Sequence, residues 1–147
     1  MSNVGGKQYH QFEDKELFSF IQNNLPTIKE KPIKSFDIVC WVNINGKGSF
    51  NARHHHDPYS GTFLSGVLYI KIPKNSGGIV FHDPRPHIAS AHDMQYFSGC
   101  DTYSTYCVNP IPNMMLMFPA WLEHSVEPNN SDETRISLSF NIADIDY

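Results

Sequence analysis

The run Arg53-His54-His55-His56-Asp57-Pro58 places three imidazoles and a carboxylate at consecutive positions. Two metal-ligand spacings overlap in it, His54-x-His56 and His55-x-Asp57. Side chains at i and i+2 of a β-strand point to one face, so either pair can converge on a single ion, but not both together. A further ligand has to come from another strand. The candidate is His124, 67 residues beyond Asp57 in Phe118-Pro119-Ala120-Trp121-Leu122-Glu123-His124-Ser125-Val126. Two imidazoles and one carboxylate on one side of an ion leave the opposite positions open, which suits non-haem Fe(II) chemistry with O2. Eleven residues after His124, Arg135 and Ser137 form Arg-x-Ser. A guanidinium presents a planar fork that grips a carboxylate bidentately, and a serine hydroxyl adds one hydrogen bond. The pair reads as an anchor for a dicarboxylate. The plainer alternatives are an exposed histidine cluster and a surface arginine paired with Asp132 or Glu133, worth roughly 0–1 kcal/mol.

These residues need strands to hold them. From Arg135 to Ile142, Ile136, Leu138, Phe140 and Ile142 alternate with Arg135, Ser137, Ser139 and Asn141, so one face is apolar and the other polar. Further strands are predicted at Ser35–Ile44, Phe63–Ile72, Gly78–Phe81 and Met114–Phe118, each rich in β-branched or aromatic residues and bounded by turn formers. One helix is predicted over Glu13–Asn24, from Leu17, Phe20, Ile21 and Leu25 at spacings of three and four, closed by Pro26. Residues 1–11 are polar and read as a loose arm. Residues 82–113, with Pro84, Pro86, Pro110 and Pro112 and little periodicity, read as a lid or binding loop. The expectation is a mainly β sandwich or barrel with the helix packed outside and the polar face of the last strand turned inward.

Composition narrows the classes. At 147 residues, with 40% apolar residues, the chain is sized for a single domain, residues 1–147, with its own core. A net charge of −4 argues against general nucleic-acid or anionic-membrane binding. No apolar run approaches the roughly 20 residues that span a bilayer. The N-terminus carries no apolar signal core, and Cys40, Cys100 and Cys107 are an odd, sparse set, so a reducing, cytoplasmic location is expected.

The combination of His55-His56-Asp57, His124 and Arg135-Ile136-Ser137 resembles the Fe(II)- and 2-oxoglutarate-dependent oxygenases. More narrowly, it resembles the small prolyl-4-hydroxylase-like group of bacterial and phage sequences. The matching words run in the family's order from about residue 40 to residue 142: Trp41-Val42-Asn43, His55-x-Asp57-Pro58-x-Ser60, Leu64-Ser65-Gly66-Val67-Leu68-Tyr69, Phe81-x-Asp83-Pro84-Arg85, Phe118-Pro119-Ala120-Trp121-Leu122-x-His124-Ser125-Val126 and Arg135-Ile136-Ser137-Leu138-Ser139-Phe140-Asn141. The resemblance implies a double-stranded β-helix, or jelly roll, with the metal at one mouth. It implies Fe(II) on His55, Asp57 and His124, and 2-oxoglutarate on Arg135 with Ser137 and Tyr69. O2 is the second co-substrate, and a small molecule or peptide is hydroxylated. Many members of the group carry His-x-His-Pro where this chain has His55-x-Asp57-Pro58. The Pro58 and Ser60 match favours His55 and Asp57, and the strand argument leaves His54 and His56 open. A homodimer is compatible with this reading. A cupin-type metalloenzyme without 2-oxoglutarate and a non-enzymatic jelly-roll binding module are the alternatives, since jelly rolls host many functions.

Overall fold

The alternation seen in the last strand organises half of the molecule. The computed structural model describes residues 2–10, 14–25, 35–56, 61–85 and 105–146. Its strands are β1 (Asn3–Val4), β2 (Lys7–His10), β3 (Ser35–Asn45), β4 (Phe50–His54), β5 (Thr62–Lys71), β6 (Ile79–His82), β7 (Thr105–Val108), β8 (Met115–Pro119), β9 (His124–Val126) and β10 (Arg135–Asp146), with helix α1 at Lys15–Asn23. They form two five-stranded sheets, β2-β3-β10-β5-β8 and β1-β4-β9-β6-β7. Every pairing among the described residues is antiparallel. From β3 onward the chain crosses between the sheets at each connection except β6–β7, the winding of a jelly roll.

Strand β10 lies between β3 and β5, and its two faces have different work. On one side Cys40, Leu138, Phe140 and Ile142 form a buried cluster with Ile21 of α1, joined by Leu17, Phe18 and Leu25. The helix starts at Asp14, whose Oδ1 accepts from the Leu17 amide at 2.9 Å and satisfies one of the free N-terminal donors. The opposite side of β10 carries Arg135, Ser137, Ser139 and Asn141, which line a cavity between the sheets. A second cluster, Val67, Tyr69, Ile79 and Phe118 with Phe81, Leu116, Leu122 and Val126, fills the rest of the inter-sheet space.

Two expectations are corrected. Within the expected loose arm 1–11, the described residues 2–10 are held in the fold: β1 and β2 add one edge strand to each sheet, pairing with β4 and β3 respectively. Polar composition misleads here because an edge strand is held by backbone hydrogen bonds and leaves side chains in solvent. The crossing between them is made at Gly5, with φ of 75°, followed by Gly6, where a Cβ would lie 2.1 Å from Asn45 Oδ1. The stretch 82–113 is likewise interrupted by β7, paired along β6. Residues 86–104 of that expected loop lie outside the described residues, as do Pro58 and Ser60. No described helix is long and apolar enough to cross a membrane.

Gly66 sits on β5 directly against Phe140, and a Cβ there would fall 2.1 Å from the ring. Gly66→Ala is therefore expected to destabilise the fold by roughly 1–3 kcal/mol through overpacking, seen as a lower urea midpoint at unchanged slope. An unchanged midpoint would mean that the ring has room to move.

Candidate active site

One irregularity in the second sheet decides which histidines face inward. Asn51 of β4 pairs with Val126 of β9, but His54 pairs with His124, so Ala52 and Arg53 together stand opposite Ser125. This is a one-residue bulge. In unbroken register Arg53 would oppose His124 and His55 and Asp57 would turn inward. With the bulge, His54 becomes the direct partner of His124, and His56 follows on the same face. The bulge is tied at its backbone and its outer face. The Ala52 amide donates to Ser2 O at 2.8 Å, and Arg53 points outward to Glu123, with Nε donating to Oε2 at 3.0 Å. The His56 amide donates to Ala120 O at 2.9 Å, fixing the end of the segment.

Three imidazoles result within reach of one ion. One ring nitrogen from each of His54, His56 and His124 lies within 4.8 Å of the others. Ring centroids are 4.2 Å apart for His54 and His124, 5.4 Å for His54 and His56, and 5.5 Å for His56 and His124. The His54 Nδ1 donates to Ala52 O at 2.8 Å and the His124 Nδ1 to Leu122 O at 2.9 Å, which leaves each Nε2 lone pair free for a metal. The third, His56, has its Nδ1 3.2 Å from Asn141 Nδ2. Phe118 and Phe81 pack edge-on against each other, and Phe118 against His124, shielding this end of the cavity from water. Burial lowers the pKa of all three histidines, to about 4 for His56 and His124, and their mutual repulsion adds to the effect. They are neutral at pH 7, the form that ligates.

The far end of the same polar face holds the arginine. Arg135 is 2% exposed. Its Nη1 donates to the Ser76 and Glu127 carbonyls, the latter at 3.2 Å, while Nη2 is buried with no hydrogen-bond partner among the described residues. Among the described residues no carboxylate forms an ion pair with it. Asp132 pairs with Lys47, and Glu133 with Lys71, which removes the surface-pair alternative. Burial lowers the Arg135 pKa, but a guanidinium stays charged. Ser137 is the cross-strand partner of both Tyr69 on β5 and Asn43 on β3, so these groups share the cavity wall with Arg135. Burial raises the Tyr69 pKa, so its hydroxyl stays protonated and able to donate. The cavity has a volume of about 300 Å³ and reaches from Arg135 to the three histidines. A buried, unpaired cation beside an unfilled donor is costly unless an anion completes it. A dicarboxylate fits this end, and a divalent metal fits the other.

Of the residues singled out in the sequence, Arg135, Ser137, Tyr69 and His124 line this one cavity. The expected ligand pair is not among them: His55 is exposed and outside the imidazole cluster, and Asp57 lies outside the described residues. Strand alternation was sound, but it carries no information about a bulge upstream of the run. Trp41 lines the cavity, stacked with His10 of β2 at 6.3 Å and tilted against His56 at 6.2 Å. Asn141 was visible only as one member of the polar face. Asp83 and Arg85 pair with each other, at 2.5 Å between Nη2 and Oδ2.

The family model described as "Putative 2OG-Fe(II) oxygenase" matches residues 39–141. No curated protein sequence matches the chain. Among solved structures, the chain is similar to an oxidoreductase of the 2OG-Fe(II) oxygenase family from Burkholderia pseudomallei, at 18% identity and TM-score 0.55, covering 74% of this chain and 44% of that one. It is similar to prolyl 4-hydroxylases from Phytophthora capsici, at 18% identity and TM-score 0.54, covering 88% and 40%. It is also similar to a cupin domain from Bordetella pertussis, at 12% identity and TM-score 0.51, covering 98% and 99%. At these identities the likeness shows the fold. The chain spans less than half the length of the two oxygenases.

The histidine environment has a consequence for stability. In an unfolded chain the same imidazoles titrate near 6.5. Between that pH and about 4 the unfolded state binds protons that folded His56 and His124 refuse, so their contribution to stability is lost as pH falls through this window. The melting temperature of the metal-free protein is expected to drop from pH 6.5 to 4, and the double variant His56→Gln/His124→Gln to flatten that drop. Equal slopes in the two proteins would contradict neutral, buried imidazoles.

Proposed function

The chain belongs to this 2OG-Fe(II) oxygenase family, whose members use Fe(II), 2-oxoglutarate and O2, and from that premise we propose a prolyl-4-hydroxylase-like hydroxylase with iron on His54, His56 and His124. The iron supplies redox chemistry that couples conversion of 2-oxoglutarate and O2 to succinate and CO2 with insertion of the second oxygen atom into a substrate C–H bond. Every other task falls to this chain's residues. The three imidazoles hold the metal as neutral donors and leave its double positive charge for an anionic co-substrate to neutralise. Arg135 holds the distal carboxylate of 2-oxoglutarate through the fork that is half unfilled without it, and Tyr69 and Ser137 supply hydroxyl donors on the adjoining strands. Phe118, Phe81 and Val67 keep water from the reacting end. Trp41 and His10 border the mouth through which a small molecule or peptide enters.

The observation that carries this reading is the Arg135 guanidinium, buried without a carboxylate partner among the described residues, in a cavity whose other end gathers three imidazoles that could hold a metal. The three-imidazole set also suits a cupin-type metalloenzyme that works without 2-oxoglutarate. Dependence of 2-oxoglutarate binding on Arg135 separates the two readings.

Arg135→Ala is expected to weaken 2-oxoglutarate binding by about 30- to 1000-fold, the loss of roughly 2–4 kcal/mol for a charge-assisted bidentate contact. Fe(II) binding should stay nearly intact. Arg135→Lys should restore only part of the loss, since an ammonium lacks the fork. Anaerobic titration of the Fe(II) protein with 2-oxoglutarate measures this, and unchanged affinity would remove Arg135 from the site. For the metal, His54→Ala, His56→Ala and His124→Ala should each lose Fe(II) and succinate formation, while His55→Ala should keep both. Loss in His55→Ala and Asp57→Ala, with retention in His54→Ala, would restore the unbulged ligand set.

A further inference from the structure

His54 and His124 are each locked in one tautomer by a backbone carbonyl, which can only accept a proton at Nδ1. Among the described residues no backbone oxygen takes that role for His56. Its Nδ1 faces a side-chain amide, that of Asn141 on β10. The other end of the amide is held as well: Ser65, 2% exposed and the cross-strand neighbour of Asn141 on β5, donates from Oγ to Oδ1 at 2.9 Å.

The direction of these bonds matters. With Nδ2 toward His56, the amide donates into Nδ1, and the neutral ring must carry its proton on Nε2. That tautomer has no lone pair at Nε2 for a metal. The oxygen and amino ends of an amide are nearly the same shape, so a half-turn about χ2 exchanges them without displacing their neighbours. Ser65 tolerates the exchange, because a hydroxyl can accept from Nδ2 as readily as it donates to Oδ1. After the half-turn, Oδ1 accepts from Nδ1–H, and the Nε2 lone pair is released.

We propose that Asn141, anchored beside Ser65 in either orientation of its amide, is the positioning residue that sets His56 in its metal-binding tautomer, with Oδ1 accepting from His56 Nδ1 when the metal is bound. The inference rests on His54, His56 and His124 being the metal ligands. The proton balance closes without a partner: one proton leaves Nε2 for water and one is taken up at Nδ1, so the ring stays neutral. Such partners of ligating histidines typically contribute 10–100-fold to metal affinity.

The test uses Co(II), followed by its visible absorption on titration into the metal-free protein, and Zn(II) for NMR. Asn141→Leu keeps the bulk of the side chain and removes the acceptor, and is expected to weaken Co(II) binding by about 10–100-fold. Asn141→Asp can only accept, and should bind Co(II) at least as tightly as the wild type. In the Zn(II)-loaded wild type with 15N-labelled histidine, His56 should carry its proton on Nδ1. Equal Co(II) affinity in Asn141→Leu and wild type, or weakening in Asn141→Asp as large as in Asn141→Leu, would overturn the assignment. So would a bare Nδ1 in the NMR spectrum. A wild type that binds no Co(II), or that loses it in His55→Ala but not in His54→Ala, would instead overturn the ligand set on which the inference stands.

Discussion

A single extra residue in β4 decides which histidines gather at one end of the cavity. Asn51 and Val126 are in one register and His54 and His124 are in the next, and everything inward of that step shifts face by one position. The bulge makes His54 and His124 a direct cross-strand pair and brings His56 onto the same side. It also sends Arg53 outward to Glu123 and His55 into solvent. The edge strand β1 and the Ser2 carbonyl that receives the Ala52 amide are part of the same arrangement, so the N-terminal residues support the site although none of them is a ligand.

The second constraint is a charge. Arg135 is buried in the wall of the cavity between the sheets, and the described residues satisfy only part of its guanidinium. Strand β10 makes this tenable by separating two jobs on two faces. Leu138, Phe140 and Ile142 join the cluster that includes Ile21 of α1, while Arg135, Ser137, Ser139 and Asn141 form a polar strip from the anion end to the metal end. Along that strip Gln8 donates to Asn43 and Asn43 to Ser139, at 2.8 Å and 2.9 Å. A cavity with a cation at one end and neutral nitrogen donors at the other is organised for an anion that also binds a metal.

The parts of this structure that depend on periodicity could be read from the chain. Strands β3, β5, β6, β8 and β10 announce themselves by alternation or by β-branched and aromatic runs, and α1 by its apolar spacing and the Pro26 that closes it. The same alternation identified Arg135 and Ser137 as inward groups. Short strands held mainly by neighbours were illegible: β1 and β2 look like a polar tail, β7 looks like loop, and β9 has three residues. The histidine cluster fell between these cases. His124 was singled out, and both pairs within the His54–Asp57 run were recognised. The choice between them turned on a bulge that depends on long-range pairing with β9 and on backbone contacts from Ser2, neither of which leaves a local signature. Asn141 shows the same limit, since its role depends on two partners 85 and 76 residues away in the chain.

A crystal structure of the protein loaded anaerobically with Fe(II) and 2-oxoglutarate, with the iron located by its anomalous scattering, tests the bulged register most directly. Iron bonded to one ring nitrogen each of His54, His56 and His124, with a 2-oxoglutarate carboxylate on the Arg135 guanidinium, is the predicted result. Iron bonded to His55 and Asp57, with His54 and His56 turned to solvent, would contradict it.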